Sequence, residues 1–118
     1  MERIKQAVKK RQKNILSVER TKICINIYEI VINDLCFRIK EGLLDNVIDE
    51  KKLYFNAKIL GDFGKILIDD YSLHDFFRYK GLPVVEVGYD EISYADEILA
   101  TQFYIILDMS KIWKLGDE

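Results

Sequence analysis

The stretch Lys22–Lys40, KICINIYEIVINDLCFRIK, decides the fold, because it is the densest apolar stretch of the chain and must supply much of the core. Seven of its apolar residues share odd-numbered positions: Ile23, Ile25, Ile27, Val31, Leu35, Phe37 and Ile39. This β-branched and aromatic alternation favours two strands joined by a turn at Asn33-Asp34. A helical polar stripe competes with it: Lys22, Asn26, Glu29 and Asn33. We predict a hairpin, with a helix as the alternative.

The size and composition of the chain set the class of protein. The 118 residues, positions 1–118, are predicted to form a single domain that can bury a core without disulfides or metal ions. The 49% hydrophobic and 32% charged fractions are those of a globular protein. No apolar run approaches the ~20 residues of a membrane helix, and the N-terminus lacks the apolar core of a signal peptide. We therefore expect a cytoplasmic protein with no membrane partner.

The two cysteines, Cys24 and Cys36, are predicted to be small buried hydrophobic residues. A disulfide is not expected in a reducing compartment, and two thiols without a neighbouring histidine are too few for a zinc site. The sequence predicts no metal site and no cofactor.

Outside this stretch, the first half of the chain shows one helix and one more hairpin. Residues 2–19 are predicted to form a helix, because apolar residues recur at helical spacing without glycine or proline. Leu53–Leu60 alternates, Gly61-Asp62-Phe63-Gly64 is typical of a turn, and Lys65–Ile68 would be the returning strand.

The second half is predicted to mix short helices with strands. Ser72 is a candidate N-cap for a helix over Leu73–Lys80, which Gly81 and Pro83 would end. Val84–Val87 and Phe103–Leu107 are expected to be short strands, with Gly88 closing the first. Asp90–Ala100 carries apolar residues at helical spacing and acidic residues in its first half, which predicts another helix.

Together these elements predict an α+β fold. A basic N-terminal helix, residues 1–20, would pack at the edge of the body or on a partner. The body would be an antiparallel sheet of about five strands, formed by the two hairpins and the later strands, with two short helices on one face.

The charge is distributed unevenly along the chain. Residues 1–22 carry eight lysines and arginines and two glutamates, so their charge is 8 − 2 = +6. Because the net charge is −2, the remaining residues carry −2 − 6 = −8. This asymmetry is the main functional signal.

Our first hypothesis is a non-enzymatic protein-interaction module, a small inhibitor, antidote or regulator. No catalytic or cofactor motif is present, and acidic clusters suit a basic protein partner, as in small phage-encoded inhibitors and immunity proteins. The residues expected to bind that partner are Asp69, Asp70, Asp90, Glu91, Asp96 and Glu97.

The second hypothesis is a nucleic-acid-binding accessory protein. Lys9, Lys10, Arg11 and Lys13 can neutralise phosphates independently of sequence, and a symmetric homodimer would double this basic surface. The acidic remainder of the chain opposes this interpretation, because it repels a phosphate backbone.

The third hypothesis is a metal-dependent nuclease. Asp69-Asp70 followed by an apolar strand and Glu86 loosely resembles a restriction-enzyme-like core, in which carboxylates hold a divalent cation. The lysine expected two residues after that glutamate is replaced by Gly88. His74 lies beside carboxylates, but no nucleophile motif accompanies it, and an exposed polar role is expected.

Overall fold

The fold is α+β, with a three-stranded antiparallel sheet. The computed structural model describes residues 1–117, with the side chains of residues 11–17 excepted. The elements, in chain order, are α1 (Glu2–Lys40), β1 (Glu50–Asn56), a 3₁₀ turn (Ala57–Leu60), α2 (Gly64–Asp69), α3 (Ser72–Tyr79), β2 (Val84–Tyr94), β3 (Glu97–Asp108), α4 (Met109–Lys114) and a final 3₁₀ turn (Leu115–Asp117). The strand order is β1-β3-β2. The described sheet thus has three strands where the sequence predicted about five.

The stretch Lys22–Lys40 is the second half of α1, so the predicted hairpin is wrong. Its buried residues, Cys24, Ile27, Val31 and Leu35, follow one another at steps of three or four. That spacing places them on one face of a helix. The polar stripe was therefore the correct signal, and packing of this face against the core overrides the strand preference of the β-branched residues. The helix predicted over residues 2–19 is confirmed as the first half of α1.

The second predicted hairpin is also wrong after its first strand. β1 is present, but Ala57–Leu60 forms a 3₁₀ turn. Asn56 caps this turn, because its Oδ1 atom accepts a hydrogen bond from the Lys58 N–H at 3.0 Å. The glycine-flanked segment Gly61–Gly64 then leads into α2 rather than into a returning strand. Leu60, Leu67 and Ile68 are buried, so packing on the core selects the helical course.

The helix predicted over Leu73–Lys80 is confirmed as α3, with Gly81 in the left-handed region at φ 90° just beyond it. Its cap differs from the prediction. Tyr71 is the N-cap, in the left-handed region at φ 63°, and Ser72 is the first helical residue. The Ser72 N–H donates to the Asp70 Oδ1 atom at 3.0 Å, so the carboxylate two residues upstream satisfies this N–H group.

The largest error concerns Asp90–Ala100, which is not a helix. β2 continues through Gly88 to Tyr94, turns at Ala95-Asp96, and returns as β3. Both turn residues have positive φ, 51° and 66°, as a two-residue type I′ turn requires. Phe103–Leu107 is confirmed as part of β3, although it is fully buried only on one face.

The core lies between one face of the sheet and the helices. The sheet contributes Leu53, Phe55, Val87, Phe103, Ile105 and Leu107, and the helices contribute Ile27, Val31, Leu67, Leu73, Phe77 and Met109. α4 closes one end of this core, and the Trp113 Nε1 atom donates to the Val47 carbonyl at 2.6 Å. Cys24 is buried in the core as predicted, whereas Cys36 is exposed, because its position on α1 faces away from the core.

Two segments extend away from this core. The radius of gyration is 17.7 Å and the longest dimension is 63 Å, whereas a compact domain of this length has a radius of gyration of about 13 Å. A 39-residue helix is about 58 Å long, so α1 accounts for the longest dimension. Among the described residues, no helix combines the length and hydropathy needed to span a membrane.

Candidate functional site

The end of the β2–β3 hairpin projects from the body. We call residues 90–101 the hairpin arm. Every residue from Glu91 to Ala100 is exposed, although the strands remain paired, with Ile92 opposite Ala100 and Tyr94 opposite Glu97. Neither face of this β-ribbon is covered by the core, so the core does not stabilise it. Because the strands are paired and both faces are exposed, the arm is a structured element whose surface is available for binding.

The hairpin arm exposes a cluster of large apolar side chains. Ile92, Tyr94, Ile98 and Leu99 are 52%, 76%, 58% and 63% exposed. Scattered exposed hydrophobic residues are normal, but here four lie within ten residues at the end of a projecting ribbon. The register places Ile92 and Tyr94 on one face of the ribbon and Ile98 on the other. Exposed apolar and aromatic residues beside polar ones are typical of protein–protein contact sites.

The six predicted acidic residues do not form one surface. Asp69 lies at the end of α2 and accepts a hydrogen bond from the Tyr89 hydroxyl at 3.0 Å, and this bond raises the pKa of Tyr89. Asp70 accepts from the Arg20 Nη1 atom at 2.6 Å. The pKa of Asp70 is lowered, chiefly by its hydrogen bond with the Ser72 side chain and, to a smaller degree, by Arg20. Both carboxylates therefore stabilise the body.

The other four acidic residues are all on the hairpin arm. At its base, Asp90 pairs with Lys52 at 3.2 Å and Glu91 pairs with Lys65 at 2.9 Å. Asp96 and Glu97 are at the tip, and neither forms an ion pair with any side chain that the structure describes. The structure thus separates two acidic residues that fix the arm to the body from two that face outward.

The sheet face opposite the core carries a cluster that sequence reasoning missed. The Lys52 Nζ atom lies 4.0 Å from the centroid of the Tyr104 ring and 5.3 Å from that of Tyr54. The two rings meet edge to face with centroids 6.3 Å apart. The pKa of Lys52 is raised, chiefly by its hydrogen bond with Tyr54. The alternation of charged and apolar residues in β1 is the signal that could have placed Lys52 and Tyr54 on this face.

A polar hollow of about 450 Å³ lies beside the outer edge of β2, where α2 meets α3. Asp69, His74 and Glu86 are among its lining residues, so it contains two of the three carboxylates of the nuclease hypothesis. Asp70 is turned toward Arg20 instead. Within the described residues, no three His, Cys, Asp or Glu side chains are grouped so that they could hold a metal ion. The geometry therefore gives the nuclease hypothesis no support.

The basic N-terminal part of α1 also projects from the body. We call residues 2–22 the helix arm, since Cys24 is the first buried residue among those of α1 whose side chains are described. Near the end of the arm, Arg20 pairs with Asp70 of the body. Lys9 and Lys10 are exposed, whereas the side chains of Arg11 and Lys13 lie outside the described part of the chain. The helix arm also carries exposed apolar residues: Ile4 (62%), Val8 (50%) and Val18 (53%).

Comparison with known proteins identifies no relative. No family model, no curated protein and no solved structure matches this chain.

Proposed function

We propose that this protein is a non-enzymatic interaction module, of the inhibitor or regulator class, that binds a basic and partly apolar surface of a protein partner through the hairpin arm. The observation that carries the proposal is the exposure of the whole arm, from Glu91 to Ala100, with four large apolar side chains beside two outward-facing carboxylates.

The two kinds of side chain on the arm would have different roles in binding. Burial of Tyr94, Ile98 and Leu99 against a partner supplies affinity, because removing apolar area from water is favourable. Asp96 and Glu97 supply orientation and selectivity for a basic surface, since complementary charge steers association and rejects partners of like charge. The ion pairs of Asp90 and Glu91 fix the base of the arm on the body.

The proposal locates this interaction in the cytoplasm. An exposed free thiol such as that of Cys36 is typical of a reducing compartment.

The experiment that tests the proposal compares affinity capture by matched variants. The tagged wild-type chain, an Asp96→Lys/Glu97→Lys variant and a Glu41→Lys/Asp62→Lys control are incubated with an extract of the source cells. Bound proteins are quantified by mass spectrometry. The control reverses two exposed charges away from the hairpin arm. We expect the wild type and the control to capture the same amount of one partner protein. The Asp96→Lys/Glu97→Lys variant should capture at least 90% less of it, which corresponds to about a tenfold loss of affinity.

An Ile98→Ser/Leu99→Ser variant tests the apolar contribution separately and should lose the same protein. Because all of these positions are exposed, the variants should keep the circular dichroism spectrum and the melting temperature of the wild type. Equal capture by the wild type and by both arm variants would disprove the proposal.

A second candidate function, nucleic-acid binding by the helix arm, is favoured by one observation: Lys9 and Lys10 are exposed on a helix that extends away from the acidic body. Fluorescence anisotropy with labelled single- and double-stranded oligonucleotides at two salt concentrations tests it. Binding should weaken steeply with salt and disappear in a chain lacking residues 1–14. A Lys9→Glu/Lys10→Glu variant should reduce the salt slope by about two. An affinity that does not change with salt would exclude this mechanism.

A further inference from the structure

The helix arm and the hairpin arm have opposite charge. Residues 1–22 carry a formal charge of +6, as counted above, and residues 90–101 contain four acidic residues and no lysine or arginine, so their formal charge is −4. Arg20, Asp90 and Glu91 are paired with side chains of the body, so the charge left for a partner is 6 − 1 = +5 on the helix arm and −4 + 2 = −2 on the hairpin arm. We propose that the partner of the hairpin arm is a second copy of this chain. In the dimer, the helix arm of each copy packs on the hairpin arm of the other. This inference rests on the proposed function, because it assigns the partner of the same surface.

The apolar side chains of both arms support a reciprocal contact. Ile4, Val8 and Val18 of the helix arm fall within about a quarter of the circumference of the helix, at 100° per residue. They are at least half exposed, as are the four apolar residues of the hairpin arm. The two sets therefore do not cover each other within one chain. A two-fold dimer would form the helix-to-hairpin contact twice and cover apolar residues of both arms.

Charge selects this pairing among the three that a symmetric dimer could use. Packing helix arm on helix arm would oppose +5 with +5, and packing hairpin arm on hairpin arm would oppose −2 with −2. Only the mixed pairing opposes unlike charges. Like charges brought together in a partly desolvated interface are strongly unfavourable.

The dimensions of the two arms are compatible with this contact. The helix arm has 21 residues and is about 31 Å long at 1.5 Å per residue. Each strand of the hairpin arm contributes five residues, about 17 Å at 3.3 Å per residue. The hairpin arm can therefore lie along about three turns of the helix arm. On the first turns, Lys5 and Lys9 flank the apolar stripe on one side and could face Asp96 and Glu97.

The test is a charge exchange between two full-length variants, followed by sedimentation velocity and light scattering from 1 to 100 µM, a range of about two decades chosen to span micromolar affinities. Variant H is Asp96→Lys/Glu97→Lys and variant N is Lys5→Glu/Lys9→Glu, which reverses the two lysines beside the apolar stripe. We expect the wild type to dimerise, and each variant alone to dimerise at least about tenfold more weakly.

An equimolar mixture of the variants should recover a heterodimer. In this heterodimer, the positive hairpin arm of variant H contacts the negative residues of the helix arm of variant N. The unchanged helix arm of variant H contacts the unchanged hairpin arm of variant N, so both contacts have opposite charges. The Glu41→Lys/Asp62→Lys control should dimerise like the wild type, and higher salt should weaken the wild-type dimer.

Three results would overturn the inference: a wild-type chain that stays monomeric at 100 µM, a dimer that is unchanged in both variants, or a mixture that remains monomeric. The first result, together with capture of another protein that depends on Asp96 and Glu97, would remove only the second copy as partner and leave the proposed function intact. Recovery of the heterodimer without such capture would support the inference and limit the function of the arm to self-association.

Discussion

Replacement of Gly88 by alanine should destabilise the protein through a single neighbouring side chain. Gly88 pairs with Tyr104 across β2 and β3, on the sheet face opposite the core. A Cβ atom built on Gly88 would lie 2.5 Å from the Tyr104 Cζ atom and 3.0 Å from its Cε1 atom. Gly88 does not have a positive φ, so its backbone would accept alanine. The cost therefore comes from the contact with the tyrosine ring, which must move.

The magnitude follows from two opposing effects. Overpacking typically costs about 1–3 kcal/mol, and the lower half of that range applies because Tyr104 is half-buried and can tilt toward solvent. Tilting would weaken the edge contact with Tyr54 and the contact with Lys52. Replacing glycine also lowers the conformational entropy of the unfolded chain, which stabilises the folded state by about 0.4–1 kcal/mol and offsets part of the overpacking cost. The expected net loss for Gly88→Ala is about 1 kcal/mol.

Urea unfolding followed by circular dichroism measures this loss, with every variant at the same low protein concentration so that self-association does not differ between samples. For an m-value of about 2 kcal/mol/M, the midpoint should fall by about half a molar. Gly116→Ala is the matched control, because a Cβ atom there meets no other atom within 4 Å, so only the effect on the unfolded chain remains and the midpoint should rise by about 0.2–0.5 M.

A double-mutant cycle isolates the contact. In a Tyr104→Leu background the ring is absent, so adding Gly88→Ala should be neutral or slightly stabilising. A Gly88→Ala substitution that costs nothing in the wild type, or costs the same in both backgrounds, would refute the argument from the tyrosine ring.

Three further predictions concern single positions. Tyr71→Gly should stabilise the protein by about 0.5–1 kcal/mol in urea unfolding, because Tyr71 is exposed and left-handed at φ 63°; a loss of stability would contradict this. Asp70→Asn should lower stability at pH 7 by about 0.5–1 kcal/mol, because the ion pair with Arg20 is lost and the hydrogen bond from Ser72 is no longer made to a charged acceptor. Because the pKa of Asp70 is lowered in the folded state, its contribution is present above the unfolded pKa of about 3.9 and is lost as the pH falls through the folded pKa, so melting temperatures of the wild type and the variant should converge on acidification. In a thiol titration with an aromatic disulfide, the exposed Cys36 should react fast and Cys24 slowly, since burial raises the pKa of the Cys24 thiol; two equally fast thiols would contradict the burial of Cys24.

Elements with local signals were predictable from the sequence. α3 was located because Gly81 and Pro83 end a short amphipathic segment, and the interior of β3 because Phe103–Leu107 is an unbroken apolar run. The error at the start of α3 is also local. Its cap depends on a left-handed tyrosine, which no propensity favours, and on the carboxylate of Asp70.

The long helix α1 required information that its own residues do not carry. Ile25 and Phe37 contribute to the strand-like alternation, yet both are exposed on the helix, and the core is contacted by Cys24, Ile27, Val31 and Leu35. Which periodicity prevails depends on the surface that the rest of the fold presents, and this is tertiary information. The ion pairs of Asp90 with Lys52 and of Glu91 with Lys65 were not predictable either, because each lysine is far from its partner in the sequence.

The hairpin arm was mispredicted for a reason that bears on its function. Ala95-Asp96 has no glycine and none of the usual dipeptides of a type I′ turn, while Ile92, Ala95, Ile98 and Leu99 fit a helical period. In a segment packed on the core, burial would decide between these patterns, but this arm has no core contact to do so. Apolar residues that serve no internal packing contribute nothing to folding, because they are in water in both the folded and the unfolded chain. Their presence at the tip of a strained turn, beside two carboxylates directed outward, is explained when the arm is covered by a basic and apolar surface. The helix arm of a second copy has both properties.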